Sequence, residues 1–366
     1  MDKQIMTSEQ NHISRRVHEN PQDKAGVPKL HAPVSKTDTK YKADADMQAV
    51  LDAHTALDPK AIETLKPVEA RKQPTPADAV MAVLKKQGKD ISPTALVPDV
   101  TSVDQTIQGP AGPLPVRIYT PTGAGPFPVV VYFHGGGWVL ADKNVYDGGS
   151  RGIAKQANAV VVSVDYRLAP EAKFPAQHDD ALATYKWAAA NAASIKGDPK
   201  RLAIAGESAG GNLAIATAIA VRDQNLALPL HVLAVYPIAQ ATDLATPSYQ
   251  DSENAKPLNK AMMAWFAAAV FSTPDEKKDP RIDLINADLR GLPPVTLINA
   301  RVDPLRSDGD MLAASLHKAG VKVKHKVYDG VTHEFFGMAA VVPKAKQAQA
   351  LAGRELKKSL SATLSK

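Results

Sequence analysis

The chain has 366 residues, of which 44% are hydrophobic and 22% charged, and it contains no cysteine. This composition excludes a disordered chain and a fibrous repeat, and the length suits one large domain or two smaller ones. Without cysteine the protein cannot form a disulfide, use a thiolate nucleophile, hold an iron–sulfur cluster or build a zinc site on sulfur.

The net charge of +6 belongs to the two ends of the chain. Residues 1–45 carry 8 basic and 6 acidic side chains, and residues 342–366 carry 6 basic and 1 acidic, which leaves a net charge of −1 between them. A nucleic-acid-binding surface needs basic residues that converge on one face. The charge distribution therefore predicts no nucleic-acid partner.

Residues 1–45 are polar and predict an extended N-terminal arm. They contain no apolar run long enough for a signal peptide or a membrane-spanning helix. We therefore expect no integral membrane segment and a cytoplasmic protein. Removal of a leader before residue 1 would instead place the protein in the periplasm or outside the cell.

The pattern from residue 46 onward predicts two helices and then an alternation of strands and helices. The early helices are marked by helical spacing from Met47 to Leu57 and by a proline in the first turn at Pro76. Strands are predicted at 102–107, 116–120, 128–133, 160–164, 201–205, 232–236, 295–300 and 321–328. Helices are predicted at 176–193, 208–224, 309–319 and at the C-terminal end. This alternation predicts an α/β fold with a mostly parallel central sheet and helices on both faces.

The segment Gly206-Glu207-Ser208-Ala209-Gly210 fits the pattern G-x-S-x-G at a predicted junction of strand and helix. Such a tight turn holds a serine hydroxyl exposed, and it needs glycines where side chains would collide with the neighbouring elements. A bare five-residue match would more often be a glycine-rich helix start with a serine cap. The flanking strand and helix favour Ser208 as a nucleophile.

A serine nucleophile needs a base that takes its proton and an acid that orients the base. Asp303 and His333 each follow a later predicted strand, so we interpret them as that acid and base. Three other acids have simpler explanations as helix-dipole or turn residues: Asp308, Asp310 and Asp329. Three other histidines that follow Ser208 lie at a strand start, in a strand or on a helix: His231, His325 and His317.

The segment His134-Gly135-Gly136-Gly137-Trp138 follows a predicted strand. Three glycines let the bare backbone approach a substrate, so that N–H groups can point at an oxygen that becomes negative. A phosphate-binding loop would require glycine motifs that this chain lacks. With a serine motif downstream, we interpret the segment as an oxyanion hole.

Five motifs together resemble the hormone-sensitive-lipase-like branch of the α/β-hydrolases, chiefly the bacterial family IV carboxylesterases. They are HGGGW at 134–138, YRLAPE at 166–171, GESAGGN at 206–212, DPLRSDG at 303–309 and THEFFG at 332–337. The resemblance covers roughly residues 46–360 and implies an α/β-hydrolase fold with a helical cap.

The resemblance implies a catalytic triad of Ser208 as nucleophile, His333 as base and Asp303 as orienting acid. It also implies that the backbone N–H groups of three residues form the oxyanion hole: Gly136, Gly137 and Ala209. Supporting roles then fall to four neighbours: His134, Gly135, Trp138 and Glu207. Glu207 departs from the aspartate that is usual in this branch. In the YRLAPE segment, Arg167 and Glu171 are expected to pair and to fix the loop.

The same resemblance divides the chain into a core and a cap. The cap is expected from residues 46–100 and 240–290, and the catalytic core from residues 101–239 and 291–366. An apolar stripe in the second cap segment is expected mainly to pack the cap on the core, with one or two members in the acyl pocket. Its candidate pocket residues are Met262, Met263, Trp265 and Phe266.

The activity implied by the resemblance is hydrolysis of short- to medium-chain acyl esters by a serine carboxylesterase without cofactor or metal. Its partner is a small-molecule ester, and homodimers are common among such relatives. An amidase, lactonase or acyltransferase would use the same residues. Ligand-binding relatives without catalysis lack the histidine, whereas His333 is present here.

Overall fold

An eight-stranded sheet forms the centre of the protein in the computed structural model, which describes residues 41–361. The strands are β1 (Val100–Gly109), β2 (Gly112–Pro121), β3 (Phe127–Phe133), β4 (Val160–Val164), β5 (Gly197–Glu207), β6 (Val232–Val235), β7 (Val295–Val302) and β8 (Val323–Thr332). Their order across the sheet is β1-β2-β4-β3-β5-β6-β7-β8. β1, β2 and β4 pair antiparallel, and the neighbours from β4 to β8 are parallel. The predicted α/β fold is confirmed.

Helices cover both faces of this sheet. They are α1 (Ala45–Ala56), α2 (Pro67–Ala70), α3 (Pro76–Lys86), α4 (Pro93–Leu96), α5 (Asp147–Ala157), α6 (Ala176–Asn191), α7 (Ala209–Asp223), α8 (Pro247–Asp251), α9 (Lys260–Val270), α10 (Arg306–Lys318) and α11 (Pro343–Ser361). Residues 1–40 of the predicted N-terminal arm lie outside the described residues. None of the helices within residues 41–361 combines the length and apolarity needed to cross a membrane.

The continuous apolar run in β3 follows from burial on both faces. Val129 and Val131 belong to one hydrophobic core, and Val130 and Tyr132 belong to the core on the opposite face. Because successive side chains of a strand point to opposite faces, a strand between two helical layers must be apolar at nearly every position.

Helix α5 has no clear signal in the sequence because its first half contains three glycines, which disfavour helices. The packing explains them. A Cβ at Gly149 would overlap the Glu207 carboxylate, and a Cβ at Gly152 would overlap the side chain of Gln349. The glycines therefore allow α5 to lie close to the end of β5 and to α11.

The helices that precede the sheet in the chain contact elements that come much later. The backbone N–H of Asp44 donates to the carbonyl of Gly330 at 2.8 Å, and its carboxylate pairs with Lys344. The indole N–H of Trp265 in α9 donates to the carbonyl of Leu65 at 3.0 Å. Residues 41–99 precede β1, and we call them the N-terminal segment. These contacts tie the segment to β8 and α11 and also to the insertion of residues 240–290.

Candidate active site

Ser208 lies in the tight turn between β5 and α7, which we call the serine turn (residues 206–210). Its backbone has φ 58° and ψ −118°, a conformation that costs a non-glycine residue about 1–3 kcal/mol. A Cβ at Gly206 would overlap the carbonyl of Gly210, and a Cβ at Gly210 would overlap the carbonyl of Phe133. The Ser208 N–H donates to the carbonyl of Val235 at 2.8 Å. Neighbouring backbone therefore holds the strained turn from several sides.

The structure brings Ser208, His333 and Asp303 together, although they are separated by up to 125 positions in the chain. His333 Nε2 lies 3.0 Å from Ser208 Oγ, and His333 Nδ1 lies 2.7 Å from Asp303 Oδ2. The three follow β5, β8 and β7, whose carboxyl ends meet at one edge of the parallel sheet. All three side chains are buried, with Ser208 4% and His333 3% exposed.

The electrostatics favour a charged imidazole at His333. Burial opposes the imidazolium, but the charge of Asp303, its hydrogen bond and the charges of Glu334 and Glu207 together raise the pKa of His333. An imidazolium that forms when the histidine accepts a proton is therefore stabilised by its neighbour. The Tyr236 ring packs on the imidazole with a centroid distance of 4.4 Å.

The second backbone element beside Ser208 is the segment after β3, which we call the glycine loop (residues 134–140). Gly136 has φ 94° and Gly137 has φ 60°, both in the left-handed region that favours glycine. Neither N–H donates a hydrogen bond to another residue within 41–361. Ala209 is the first residue of α7, where an N–H has no partner within the helix. Three backbone donors are thus left available around the serine.

Side chains beneath the glycine loop set its course. His134 is fully buried, stacks on Tyr166 at a centroid distance of 4.2 Å and contacts the Gly135 carbonyl through Nδ1 at 2.8 Å. The Tyr166 hydroxyl donates to the His134 carbonyl at 2.8 Å. Trp138 is buried, and its carbonyl accepts from the Ala169 N–H at 2.9 Å. These contacts place His134 beneath the loop, where it supports the loop and has no contact with the Ser208 hydroxyl.

Glu207 is fully buried beneath the serine turn. Its carboxylate accepts hydrogen bonds from the hydroxyl groups of Tyr132 and Tyr236. Burial raises the pKa of Glu207 to about 7, and the two tyrosine hydrogen bonds act in the opposite direction. The longer side chain, in place of the aspartate usual in the resembled branch, extends from the turn to these two tyrosines.

A cavity of about 380 Å³ opens over Ser208. Its walls come from the glycine loop, from the N-terminal segment and from the 240–290 insertion. The N-terminal segment contributes His54, Ile62, Ala70, Arg71, Gln73, Pro74, Thr75 and Pro76. The insertion contributes Pro257, Leu258, Met262 and Phe266. Residues that are about 200 positions apart in the chain therefore enclose one pocket.

The four candidate pocket residues of α9 divide into two pairs. Met262 and Phe266 line the cavity, and they lie four positions apart on one face of the helix. Met263 is buried in the core on another face, and Trp265 turns its indole N–H to the Leu65 carbonyl. The expectation for Met263 and Trp265 is therefore corrected: they fasten α9 to the rest of the protein and do not line the pocket.

Two of the competing acids, Asp308 and Asp329, bind groups outside the triad. Asp308 is fully buried in α10 and accepts from the Ala239 N–H at 3.0 Å; burial raises its pKa to about 7. It lies in the first turn of α10, as predicted, and its contact with Ala239 also anchors the chain where the 240–290 insertion begins. Asp329 lies within β8, not in a turn, and pairs with Arg301 at 2.8 Å.

The competing histidines also have structural partners. His231 contacts Ser359 and Thr296 through its two ring nitrogens, each at 2.9 Å. His325 contacts Asn299 at 3.1 Å. These contacts occupy both histidines outside the cavity.

The expected pair of Arg167 and Glu171 does not form. Arg167 instead pairs at 2.7 Å with Asp180, a buried acid of α6. Glu171 pairs at 2.7 Å with Arg71, which follows α2 and which no sequence motif singles out. The Arg71 guanidinium lowers the pKa of Glu171. The sequence gives no signal for Arg71, because its partners lie 68 to 100 positions away in the chain.

Within residues 41–361, no three His, Asp or Glu side chains are grouped so that they could hold a metal ion.

Comparisons with known proteins agree with this architecture. A family model described as the alpha/beta hydrolase fold matches residues 130–337. The chain is 38% identical over 295 residues to carboxylesterase NlhH of Mycobacterium tuberculosis. This match covers 79% of this chain and 92% of the relative. It is 36% identical over 306 residues to esterase LipI of the same organism, with 81% and 93% covered.

A solved structure of a hyperthermophilic esterase from the archaeon Pyrobaculum calidifontis superimposes with a TM-score of 0.77. The two sequences are 33% identical, and the match covers 87% of this chain and 98% of the other. The likeness thus extends over most of this chain and over nearly all of the solved esterase.

Proposed function

The chain belongs to the α/β-hydrolase family, in its hormone-sensitive-lipase-like branch, and is a carboxylic ester hydrolase; from this we propose that it cleaves short- to medium-chain acyl esters with Ser208 as nucleophile. The observation that carries the proposal is the hydrogen-bonded series Ser208–His333–Asp303 at the floor of the cavity. A serine hydroxyl in contact with a carboxylate-oriented imidazole is equipped for acyl transfer.

In the first step, Ser208 Oγ attacks the ester carbonyl carbon while His333 Nε2 takes the hydroxyl proton. The carbonyl oxygen becomes negative and accepts hydrogen bonds from the N–H groups of Gly136, Gly137 and Ala209. The imidazolium then gives its proton to the departing alkoxide. The products of this step are the free alcohol and an acyl ester of Ser208.

In the second step, His333 takes a proton from a water molecule, whose oxygen attacks the acyl carbon. The same N–H groups stabilise the second oxyanion, and Ser208 recovers its proton as the acid leaves. Asp303 holds the imidazole in the required tautomer throughout.

The preference for short to medium acyl chains is supported by the size and lining of the cavity. Its volume of about 380 Å³ is near the lower end of the ~300–1,000 Å³ typical of small-molecule pockets. Leu258, Met262 and Phe266 offer apolar contacts to an acyl chain. The homodimer and the cytoplasmic location are independent of this chemistry and stay predictions.

The test is a panel of p-nitrophenyl esters from acetate to palmitate. We expect turnover of the shorter esters, a decline towards palmitate and almost complete loss of activity in Ser208→Ala. Ser163→Ala, which alters a buried serine of β4, is the matched control and keeps full activity. Absence of activity on every ester would refute the esterase proposal, and full activity in Ser208→Ala would refute the nucleophile.

Two aspartates of one segment test the acid. Asp303→Asn is expected to lower kcat by roughly 10⁴-fold, because the imidazole loses the carboxylate that sets its tautomer. Asp308→Asn changes a buried carboxylate that faces Ala239 and is expected to keep kcat within a few-fold of the parent enzyme. The reverse result would move the acid to Asp308.

Amide, lactone and transfer chemistry would use the same residues. A p-nitroanilide panel with matching acyl chains, lactone substrates and added alcohol acceptors separate these activities from ester hydrolysis. We expect ester hydrolysis to be the fastest. A higher kcat/KM on amides or lactones than on esters would change the assigned substrate class. Transfer products in excess of hydrolysis products would make the protein an acyltransferase. Ser208 would remain the nucleophile in each case.

A further inference from the structure

One guanidinium links the N-terminal segment to two loops beside Ser208. Arg71 donates through Nε to the Val139 carbonyl at 2.8 Å and through Nη2 to the Ala169 carbonyl at 2.7 Å. Its two terminal nitrogens also grip the Glu171 carboxylate at 2.8 Å and 2.7 Å. The side chain is only 26% exposed and forms part of the cavity wall.

The carbonyls that Arg71 binds belong to a closed series of hydrogen bonds. Val139 follows Trp138 in the glycine loop, and the Trp138 carbonyl accepts from the Ala169 N–H at 2.9 Å. Ala169 in turn presents its carbonyl to Arg71. The guanidinium therefore links Val139 to Ala169 in addition to the direct hydrogen bond between Ala169 and Trp138.

The glycine loop depends on such external support. Gly136 and Gly137 have no side chains to pack, and glycine restricts the backbone least of all residues. Within the loop, the Gly136 carbonyl accepts from the N–H groups of Val139 and Leu140 at 3.0 Å and 2.8 Å. A shift of Val139 would therefore pass directly to Gly136.

Arginine suits this position because its planar fork offers donors in fixed directions. The bidentate contact with Glu171 sets the plane of the guanidinium, which leaves Nε and a second Nη2 hydrogen for the two carbonyls. A lysine could satisfy only part of this set, since its ammonium is a point charge without a fixed plane.

We propose that Arg71 is a positioning residue for the oxyanion hole: it holds the glycine loop so that the Gly136 and Gly137 N–H groups meet the developing oxyanion, without itself contacting the reacting atoms. This inference rests on the proposed ester hydrolysis. It assigns to the N-terminal segment a part in transition-state stabilisation in addition to its place in the cavity wall.

A substitution of Arg71 is expected to change kcat more than KM. Donors aimed at an oxyanion act on the transition state far more than on the bound ester, so their displacement lowers kcat and leaves KM nearly unchanged. A displacement of about 1 Å costs up to ~10²-fold in rate. Arg71→Ala is therefore expected to lower kcat by about 10–100-fold.

The experiment measures kcat and KM for p-nitrophenyl butyrate in Arg71→Ala, Arg71→Lys and Glu171→Gln. We expect the largest fall in kcat for the alanine variant, a smaller one for lysine and the smallest for Glu171→Gln, with KM within about threefold in each. Arg222→Ala is the matched control, because Arg222 binds the carbonyls of Asp288 and Arg290 at 2.7 Å and 2.5 Å in a loop away from Ser208. It is expected to keep the parent kcat.

Inhibitor binding separates positioning from a general loss of structure. An alkyl trifluoromethyl ketone adds to Ser208 and places its oxyanion on the same donors, so its Ki should rise by the factor by which kcat/KM falls. Butyrate, which forms no adduct, should keep its Ki. Circular dichroism and thermal unfolding verify that each variant is folded; if Arg71→Ala is not, the same comparison is made with Arg71→Lys and Glu171→Gln.

Two results would overturn the inference. A rise in KM with kcat unchanged would make Arg71 a substrate-binding residue, and an unchanged Ki for the ketone would show that the donors had not moved. Failure of the proposed function is recognised separately, because the parent enzyme itself would then turn over no ester and bind no ketone.

Discussion

The serine turn and the glycine loop both contribute residues to the wall of the cavity, but they are held in place by different means. In the serine turn the contacts are between backbones: Gly206 lies against Gly210, and Gly210 lies against Phe133. In the glycine loop the fixing groups are distant side chains, Arg71 and Tyr166. The serine turn is held by contact with other backbone, whereas the glycine loop also depends on hydrogen bonds from side chains outside it. Substitutions in the two elements should therefore differ in whether a second change can restore activity.

The largest effect is expected from Gly210→Ala. The new methyl would overlap the carbonyls of Phe133 and His134, which are backbone atoms that cannot move without the sheet. We expect activity to fall by more than about 10³-fold and stability by about 3 kcal/mol or more, at the upper end of the cost of overpacking. Ester assays and urea unfolding measure the two effects.

The control for Gly210→Ala is Gly337→Ala, where the nearest atom to a new Cβ is the Gly149 nitrogen at an ordinary 3.5 Å. This variant should resemble the parent enzyme. A fully active Gly210→Ala would mean that the serine turn is not held by backbone contact.

Gly137→Ala is expected to lower kcat by about 10²-fold, the cost of misplacing one oxyanion donor. Its new methyl would overlap the ring of Phe266, a side chain that can be shortened. The double variant Gly137→Ala/Phe266→Leu should therefore have a kcat about tenfold higher than that of Gly137→Ala. The remaining deficit reflects the ~1 kcal/mol cost of a non-glycine backbone at φ 60°.

Gly320→Ala is the matched control for that backbone cost, since Gly320 has φ 76° and no atom within 4 Å of a new Cβ. It should lose stability without losing kcat. If the double variant is no faster than Gly137→Ala, the Phe266 ring does not set the position of the loop.

Glu207→Gln probes the buried carboxylate under the serine turn through the pH dependence of stability. The pKa of Glu207 is about 7 in the folded protein, whereas an unfolded glutamate titrates near 4.5. Between these values the folded state keeps a proton that the unfolded state has released, so parent stability falls as pH rises. Glutamine has no proton to release, so the variant does not show this fall. Its free energy of unfolding minus that of the parent should therefore rise by about 3 kcal/mol between pH 4.5 and pH 8.

Urea unfolding at several pH values checks this sign. Asp275→Asn, at an acid whose side chain is 86% exposed, should leave the slope of stability against pH unchanged. A difference between Glu207→Gln and the parent that shrinks as pH rises would contradict a raised pKa at Glu207.

Tyr166→Phe should have the smallest effect. It removes the hydroxyl that donates to the carbonyls of His134 at 2.8 Å and Gly135 at 3.3 Å, and it leaves the aromatic ring that stacks on the imidazole. A bond of this kind contributes about 1 kcal/mol, so kcat should fall less than tenfold. Tyr185→Phe removes an equivalent hydroxyl contact, 2.7 Å to the Ala227 carbonyl, and should leave kcat unchanged. Equal effects of the two variants on kcat would show that the glycine loop does not depend on Tyr166.

The same difference explains what could be predicted from the sequence. The serine turn is local, and its glycines and serine stand together in five consecutive residues between a strand and a helix. The positions of Asp303 and His333 followed from the rule that loops after parallel strands meet at one edge. A local pattern and a general topological rule were enough for these residues.

The supports of the site could not be predicted in this way. Arg71 reaches partners about 100 positions away, and Arg167 pairs with Asp180 on a helix while Glu171 pairs elsewhere. Charged residues have many equivalent partners in a sequence, and only three-dimensional packing chooses among them. Helix α5 could not be predicted for a related reason. Its glycines make room for the side chains of Glu207 and Gln349, and the sequence pattern of a helix does not show these contacts.

The attachment of α1 has a consequence for how the chain is made. Asp44 directly precedes α1, yet its contacts are with Gly330 and Lys344, almost 300 positions later. During synthesis on a ribosome, these contacts beside α1 therefore cannot form until β8 and the start of α11 have emerged. Such long-range contacts form late, because a long loop must close before they can form. Arg71 reaches its own partners 68 to 100 residues after it, so during synthesis these contacts with the glycine loop can form well before α1 docks.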